Sequence, residues 1–227
     1  MSTLIHTVPL GFDNGYLLRG TRSVFIDGGS PGSARTLAQR FRSLGLDPSA
    51  IALVVLTHAH WDHIGAVKAL LDLSGAKLAV HRHERHVVER GLKSMPPAVT
   101  AWGHVFGLIL RAMLPFVKIA AAPVDIEIGD EGLSLAPYGI AGRVVFTPGH
   151  SRGSVSIVLD SGEAFVGDLA MNGLPLQLGP GLPIFAEDMA AVRESWARLL
   201  KLGVKQVFPA HGRPFPASVM AQVLAVR

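Results

Sequence analysis

The sequence predicts an α/β fold of the α+β kind, with two sheets packed face to face and helices outside both. Three observations predict it. Each half of the chain opens on short strands and then alternates strand with helix, and no linker separates the halves. Hydrophobic residues make up 49% and charged residues 17% of the 227 residues, enough apolar material for a sizeable core. The apolar, β-branched run at residues 51–56 reads as a buried strand, and it ends directly on a cluster of His and Asp. A chain of this length forms one large domain or at most two small ones, and residues 1–227 are expected to form one.

The elements follow in order. Residues 4–10, 16–19 and 23–27 read as strands, with Asp13-Asn14-Gly15 as the first turn. Residues 28–32, Gly-Gly-Ser-Pro-Gly, lack the Lys-Ser/Thr of a phosphate-binding loop and read as a plain turn. Ser30 is expected to cap a helix that starts at Pro31, presents Leu37, Phe41 and Leu44, and ends at Gly45. Ile64, Val67, Leu70 and Leu71 recur at helical spacing up to Gly75. A strand at 77–80 and a polar helix at 81–90 come next. Short strands are expected at 124–128, 133–138, 143–146, 155–159 and 164–166. Met189, Val192, Trp196, Leu199 and Leu200 mark an amphipathic helix, followed by a last strand at 204–208 and a helix at 217–226.

Residues 92–122 break this alternation. They carry Trp102, Val105, Phe106, Leu108, Ile109, Leu110, Met113, Leu114, Phe116 and Val117, interrupted by Arg111, Pro115 and Lys118. Their uncharged runs fall short of the ~20 residues of a bilayer span, so no transmembrane segment is expected. The insertion is read as helices on the core, as an apolar lid over a site, or as the surface of a homodimer.

Formal net charge is +4 and the pI about 9.8. The densest basic group, Arg82, His83, Arg85, His86, Arg90 and Lys93, is broken by Glu84 and Glu89, the pattern of a solvated helix face. A small molecule, not nucleic acid, is the expected partner. The chain has no cysteine, which excludes disulfides, thiolate nucleophiles and Cys-containing zinc sites. Residues 1–6 lack the basic region and apolar core of a signal peptide, so a cytoplasmic location is expected.

The chemistry concentrates in His58, His60, Asp62 and His63, within six residues. Neutral imidazole suits zinc, and a carboxylate adds charge to the ligand set. His150, Asp168 and His211 each lie just past another expected strand. Four strand ends offering ligands make a metal site at a sheet edge, where open α/β sheets place their sites. His6 and His104 are isolated, and His81, His83 and His86 read as packing or surface residues.

This pattern resembles the metallo-β-lactamase-fold hydrolases over nearly the whole chain, most weakly in residues 92–122. The resemblance implies a four-layer αβ/βα sandwich with 92–122 as an apolar helical insertion. It implies one metal held by His58, His60 and His150, a second by Asp62, His63 and His211, and Asp168 bridging them. Asp27 matches a family Asp that supports the site from behind. Two zinc ions are expected, with a hydroxide between them as nucleophile and Asp62 as the catalytic residue that orients it. No Cys stands at the Asp168 position, no Glu at His60, and no Tyr follows Asp168, which points away from thiolate lactamases, flavodiiron proteins and quorum-quenching lactonases. A compact glyoxalase-II-like or lactonase-like hydrolase of a small thioester, ester or lactone is the expected activity. Trp61, Met171, Asn172 and Phe185, with the loop 174–185, are the expected pocket wall. The alternatives are an oxidoreductase resembling persulfide dioxygenases, with one iron on His58, His150 and Asp168, and a metal-dependent phosphodiesterase or nuclease suggested by the basic pI.

Overall fold

The computed structural model describes residues 3–173 and 175–226; Met1, Ser2, Leu174 and Arg227 lie outside the described residues. The readings made at residues 1–6 and at the start of the loop 174–185 therefore fall partly outside them. Strands β1 (Leu4–Pro9), β2 (Asn14–Arg19), β3 (Ser23–Ile26), β4 (Ile51–Val55), β5 (Lys77–His81) and β6 (Ile126–Ile128) form one sheet in that order. Its first two pairings are antiparallel and the remaining three parallel. Strands β7 (Leu133–Ser134), β8 (Gly142–Phe146), β9 (Val155–Leu159) and β10 (Glu163–Gly167) run antiparallel in a second sheet. β11 (Met171–Asn172) and β12 (Pro180–Gly181) pair only with each other, while β13 (Gln206–Pro209) joins β10 in parallel and β14 (Phe215–Pro216) closes the edge.

The period of two along each strand sorts side chains between layers. Leu18, Val24, Ile26, Leu53 and Val55 meet Val144, Val155, Ile157 and Phe165 between the sheets. The alternate residues Leu17, Phe25, Val54 and Leu78 face outward onto α1 (Ser33–Ser43), whose Leu37 and Phe41 cover them. A single turn α2 (Trp61–Ile64) precedes α3 (Val67–Ser74), which adds Val67 and Leu70 to the same layer. On the far side, Val158, Ala164, Val166 and Val207 are covered by α6 (Met189–Lys201) and α7 (Ser218–Ala225). Two short-to-medium helices, α4 (Arg85–Arg90) and α5 (Ala101–Met113), lie between the halves of the sequence. The four-layer αβ/βα sandwich and α/β class expected from the sequence are thus observed, with Trp196 fully buried on the inner face of α6 and its Nε1 donating to Leu169 O. No helix among the described residues is long and apolar enough to cross a membrane.

Four local expectations are corrected. Ser30 does not cap α1: Gly32 occupies the cap position, and Ser30 N and Oγ both donate to Asp13 Oδ2, at 2.8 and 2.6 Å. The helix expected at 64–75 is broken at Gly65 and Ala66, where the 28–32 loop crosses and Gly28 N donates to His63 O. The helix expected at 81–90 shortens to α4, because His81 pairs with Ile128 and extends β5. The strand expected at 133–138 stops at Ser134 and passes into a 3-10 turn at Ala136–Tyr138, since Pro137 has no N–H for a ladder.

Candidate metal centre

Every sequence-expected ligand sits where a strand of the sandwich ends. β4 delivers His58 and His60 in extended backbone, and the single turn α2 then points Asp62 and His63 back to the same edge. His150 follows β8, Asp168 follows β10 and His211 follows β13. The structure draws all seven together as two sets whose donor atoms lie within 4.8 Å of one another: His58, His60 and His150, and Asp62, His63, Asp168 and His211. Among the described residues these are the metal-compatible groups of three or more; His81, His83 and His86 form none. His81 instead stacks on Phe146, with ring centroids 4.5 Å apart.

Neighbouring groups decide which nitrogen each imidazole presents. His58 Nδ1 donates to Thr57 Oγ1 at 3.1 Å, and His150 Nδ1 donates to Phe185 O at 2.8 Å. His63 Nδ1 donates to Asp27 Oδ2 at 3.0 Å, and His211 Nδ1 to Phe12 O at 3.2 Å. Each of these bonds leaves Nε2 facing inward, the usual way a protein orients a ligating histidine. His60 presents Nδ1, which lies 2.9 Å from His150 Nε2. Asp168 spans the two sets: Oδ1 lies 3.3 Å from both His63 Nε2 and His211 Nε2, and Oδ2 lies 3.7 Å from His150 Nε2. Asp62 Oδ2 lies 3.4 Å from His211 Nε2.

The residues fit metal ions. His58 Nε2 is buried and has no hydrogen-bond partner among the described residues, while His63 Nε2 and Asp168 Oδ1 are buried and meet at 3.3 Å. An orphan such as His58 Nε2 costs about 1–3 kcal/mol, and a coordinated cation removes that cost. Charge divides the sets. Burial, with the neighbouring imidazoles, holds His58 and His60 well below the ordinary histidine value, and burial lowers His150 as well. Burial also pushes His63 and His211 down, but Asp168 raises both, helped by Asp27 at His63 and by Asp62 and Asp13 at His211, so both end well above the ordinary value. Burial opposes the ionised form of Asp168, yet His211 and His63 outweigh it and hold the carboxyl well below its usual range. Donors that are neutral, or that ionise in company, are what a cation site requires.

A narrow pocket opens on this edge, walled by Phe12, Trp61, Met95, Phe106, Leu110, Met171, Leu176 and Phe185, with His60, Asp62, His150, Asp168 and His211 at its polar end. Trp61, Met171 and Phe185 stand where the sequence placed them. Asn172 does not line the pocket: its Nδ2 donates to Arg213 O and its N to His211 O, so it braces the His211 loop. Of the described part of the loop 174–185, Leu176 and Phe185 reach the wall. Sequence reasoning missed Phe12 and Met95, which are single apolar residues without pattern.

It also missed three supports. Asp13 lies beneath His211, with Oδ1 3.4 Å from Nδ1, and burial raises its pKa. Thr57 joins Asp27 to His58. Glu84 is buried, and its carboxylate accepts from Ala59 N, Ser151 Oγ and Gly153 N, tying the first ligand loop to the His150 loop. Burial lifts its pKa against those bonds. Glu84 was read within an alternating-charge helix face; Asp13 was read only as part of a turn.

Two sheets in four layers, with buried His and Asp donors at one edge, define a metal-site sandwich. A sequence profile of the metallo-beta-lactamase superfamily matches residues 8–211, a span containing all seven donors. The chain belongs to the metallo-beta-lactamase superfamily. It is 30% identical to the protein named "probable metallo-hydrolase YqgX" of Bacillus subtilis over 73% of this chain and 69% of that one. It is 28% identical to a "beta-lactamase-like protein 2 homolog" of Drosophila melanogaster over 88% of this chain, and spans only 58% of that protein's length. The crystal structure of TTHA1623 in a di-iron-bound form superposes with a TM-score of 0.66 at 26% identity, covering 96% of this chain and 97% of that one.

Proposed function

We propose that this chain is a dinuclear zinc hydrolase of a small thioester, ester or lactone with an apolar acyl portion. The observation that carries the reading is that seven donors converge in two adjacent sets sharing Asp168, at the polar end of an apolar pocket. His58, His60 and His150 would hold one ion, Asp62, His63 and His211 the other, with one Asp168 oxygen toward each. Two bound ions would supply Lewis acidity and lower the pKa of water toward neutrality.

The chain's own groups do the rest. The pocket excludes water from the acyl portion, which Phe106, Leu110, Met171, Leu176 and Phe185 would surround. Asp62 is the one pocket carboxylate besides Asp168, and its side chain is 13% exposed. Its lowered pKa, with burial opposing and His211 and His63 prevailing, keeps Oδ2 ionised, so that it can accept a hydrogen bond and orient the nucleophile at the reacting edge. Among the described residues no Lys or Arg lines the pocket, so it offers no cationic side chain to a phosphodiester, and the nuclease alternative is the less supported. Iron remains the competing metal, because TTHA1623 is described in a di-iron-bound form.

The test is metal quantification on protein purified without added metal, together with hydrolysis of a thioester and lactone series of increasing acyl length. About two zinc ions per chain are expected, with activity abolished by a chelator and restored by zinc. The rise of kcat/KM with chain length should flatten in F106A/L110A. Activity surviving complete metal removal refutes the hydrolase reading. One iron per chain with oxygen uptake replaces it by the oxidoreductase.

A further inference from the structure

Helix α5 is apolar on both sides. Phe106 and Leu110 point inward with Gly103 and Gly107, and a Cβ at Gly103 would come within 2.5 Å of Ile184 O, so this face is pressed against the segment bearing Phe185. The opposite side carries Val105, Leu108, Ile109 and Ala112, with Trp102 and Met113 at its flank. Leu108 is 69% exposed and Ile109 59%, and Phe116, in the 3-10 turn that continues the helix, is 85% exposed. A surface helix of a globular protein ordinarily turns polar residues to water on that side. A contiguous apolar patch of this sort marks a surface with a partner.

The charge along the segment that carries the patch is of one sign. Residues 90–124 contain Arg90, Lys93, Arg111 and Lys118 and no Asp or Glu. Among the described residues none of these four forms an ion pair. They gather toward the C-terminal end of α5. Lys93 Nζ donates to Leu114 O and Pro115 O, and Gly91 lies against Ile119 and Ala121. A two-fold contact between copies through this face would bring together like charges with no acid from residues 90–124 to pair them. An anionic lipid surface supplies the missing charge and also accepts Trp, Leu, Ile and Phe side chains into its acyl boundary.

We propose that the outer face of α5 docks this chain onto an anionic membrane surface, with the helix lying in the interface, Val105, Leu108, Ile109 and Phe116 inserted, and Lys93, Arg111 and Lys118 among the headgroups. At 13 residues α5 is too short to span the bilayer, which needs ~20, and it lies on the membrane rather than across it. The inner face of the same helix lines the pocket, so docking sets the pocket beside the lipid. The docking itself does not depend on the hydrolase reading; only the delivery of an amphiphilic substrate from the bilayer does.

The experiment is co-flotation of the intact chain with phosphatidylcholine vesicles, with and without phosphatidylglycerol. Binding is expected to the anionic vesicles and to weaken at high salt. V105E/I109E should lower the bound fraction about ten-fold or more, because charged groups replace the inserted residues, while leaving metal content and hydrolysis of a short water-soluble ester unchanged. R111E/K118E should weaken anionic binding independently. No flotation with either vesicle overturns the proposal. So does a concentration-dependent dimer that V105E/I109E disperses while neither form floats. Because flotation needs no turnover, a failed hydrolase assay and a failed docking assay are separate results.

Discussion

If the two donor sets hold zinc as proposed, stepwise loading of the metal-free chain should perturb them differently. His58, His60 and His150 are held below the ordinary histidine value by burial, so at neutral pH they are uncharged and an ion entering there displaces no proton. His63 and His211 are held well above that value, because Asp168 and its neighbours outweigh burial. Their Nδ1 protons are engaged by Asp27 Oδ2 and Phe12 O, so the proton an ion must displace is the one on each Nε2. Asp168 and Asp62 are held low and release none. The second set should thus release about two protons per ion and the first about none. The sign follows: affinity at the second set falls as pH falls from the raised histidine values. Its slope is about two logarithmic units per pH unit, or ~2.7 kcal/mol. Titration calorimetry near pH 7 in buffers of differing ionisation enthalpy reads the proton count directly. Equal release from both binding events, or none from either, refutes the assignment of charge to the two sets.

Replacing Asp27 by Asn weakens the acceptor of His63 Nδ1 and should lower affinity at the second set about 10–100-fold in a chelator competition; unchanged affinity would remove Asp27 from the site. Gly212 has φ +99°, and a Cβ there would come within 1.4 Å of Asn172 O, so G212A should cost about 2–4 kcal/mol in denaturant unfolding and displace His211. Wild-type stability in that variant contradicts the packing described. In E84Q one acceptor oxygen becomes a donor facing Ala59 N or the Ser151–Gly153 pair. A loss of roughly 1–3 kcal/mol is expected, with weakened metal binding at His58, His60 and His150. Loss of stability with metal affinity intact would make Glu84 a purely structural residue.

The ligands were legible because metal chemistry restricts residue type. His58 to His63 follow an apolar β-branched run, and His150, Asp168 and His211 each follow another. Strand periodicity therefore puts each of them just past a strand end, and the packing of the two sheets brings those ends to one edge of the sandwich. The supports were not legible. Asp13 and His211 are nearly 200 positions apart, and Glu84 sits in a stretch whose alternating charges look solvated. Local errors at Ser30, Gly65 and His81 have the same origin: a hydrogen bond or strand pairing from elsewhere in the chain outweighed the local signal.

The sequence by itself showed the layering of strands and helices, the metal-compatible His and Asp residues past strand ends, and the resemblance to the family, because periodicity and residue type are properties of residues along the chain. Only the tertiary structure decided which imidazole nitrogen each histidine presents, how charge divides between the two sets, and which face of α5 meets the pocket. Those depend on burial and on partners contributed by remote strands. Asn172 shows the difference: expected at the pocket wall, it meets backbone of the His211 loop and braces that loop instead.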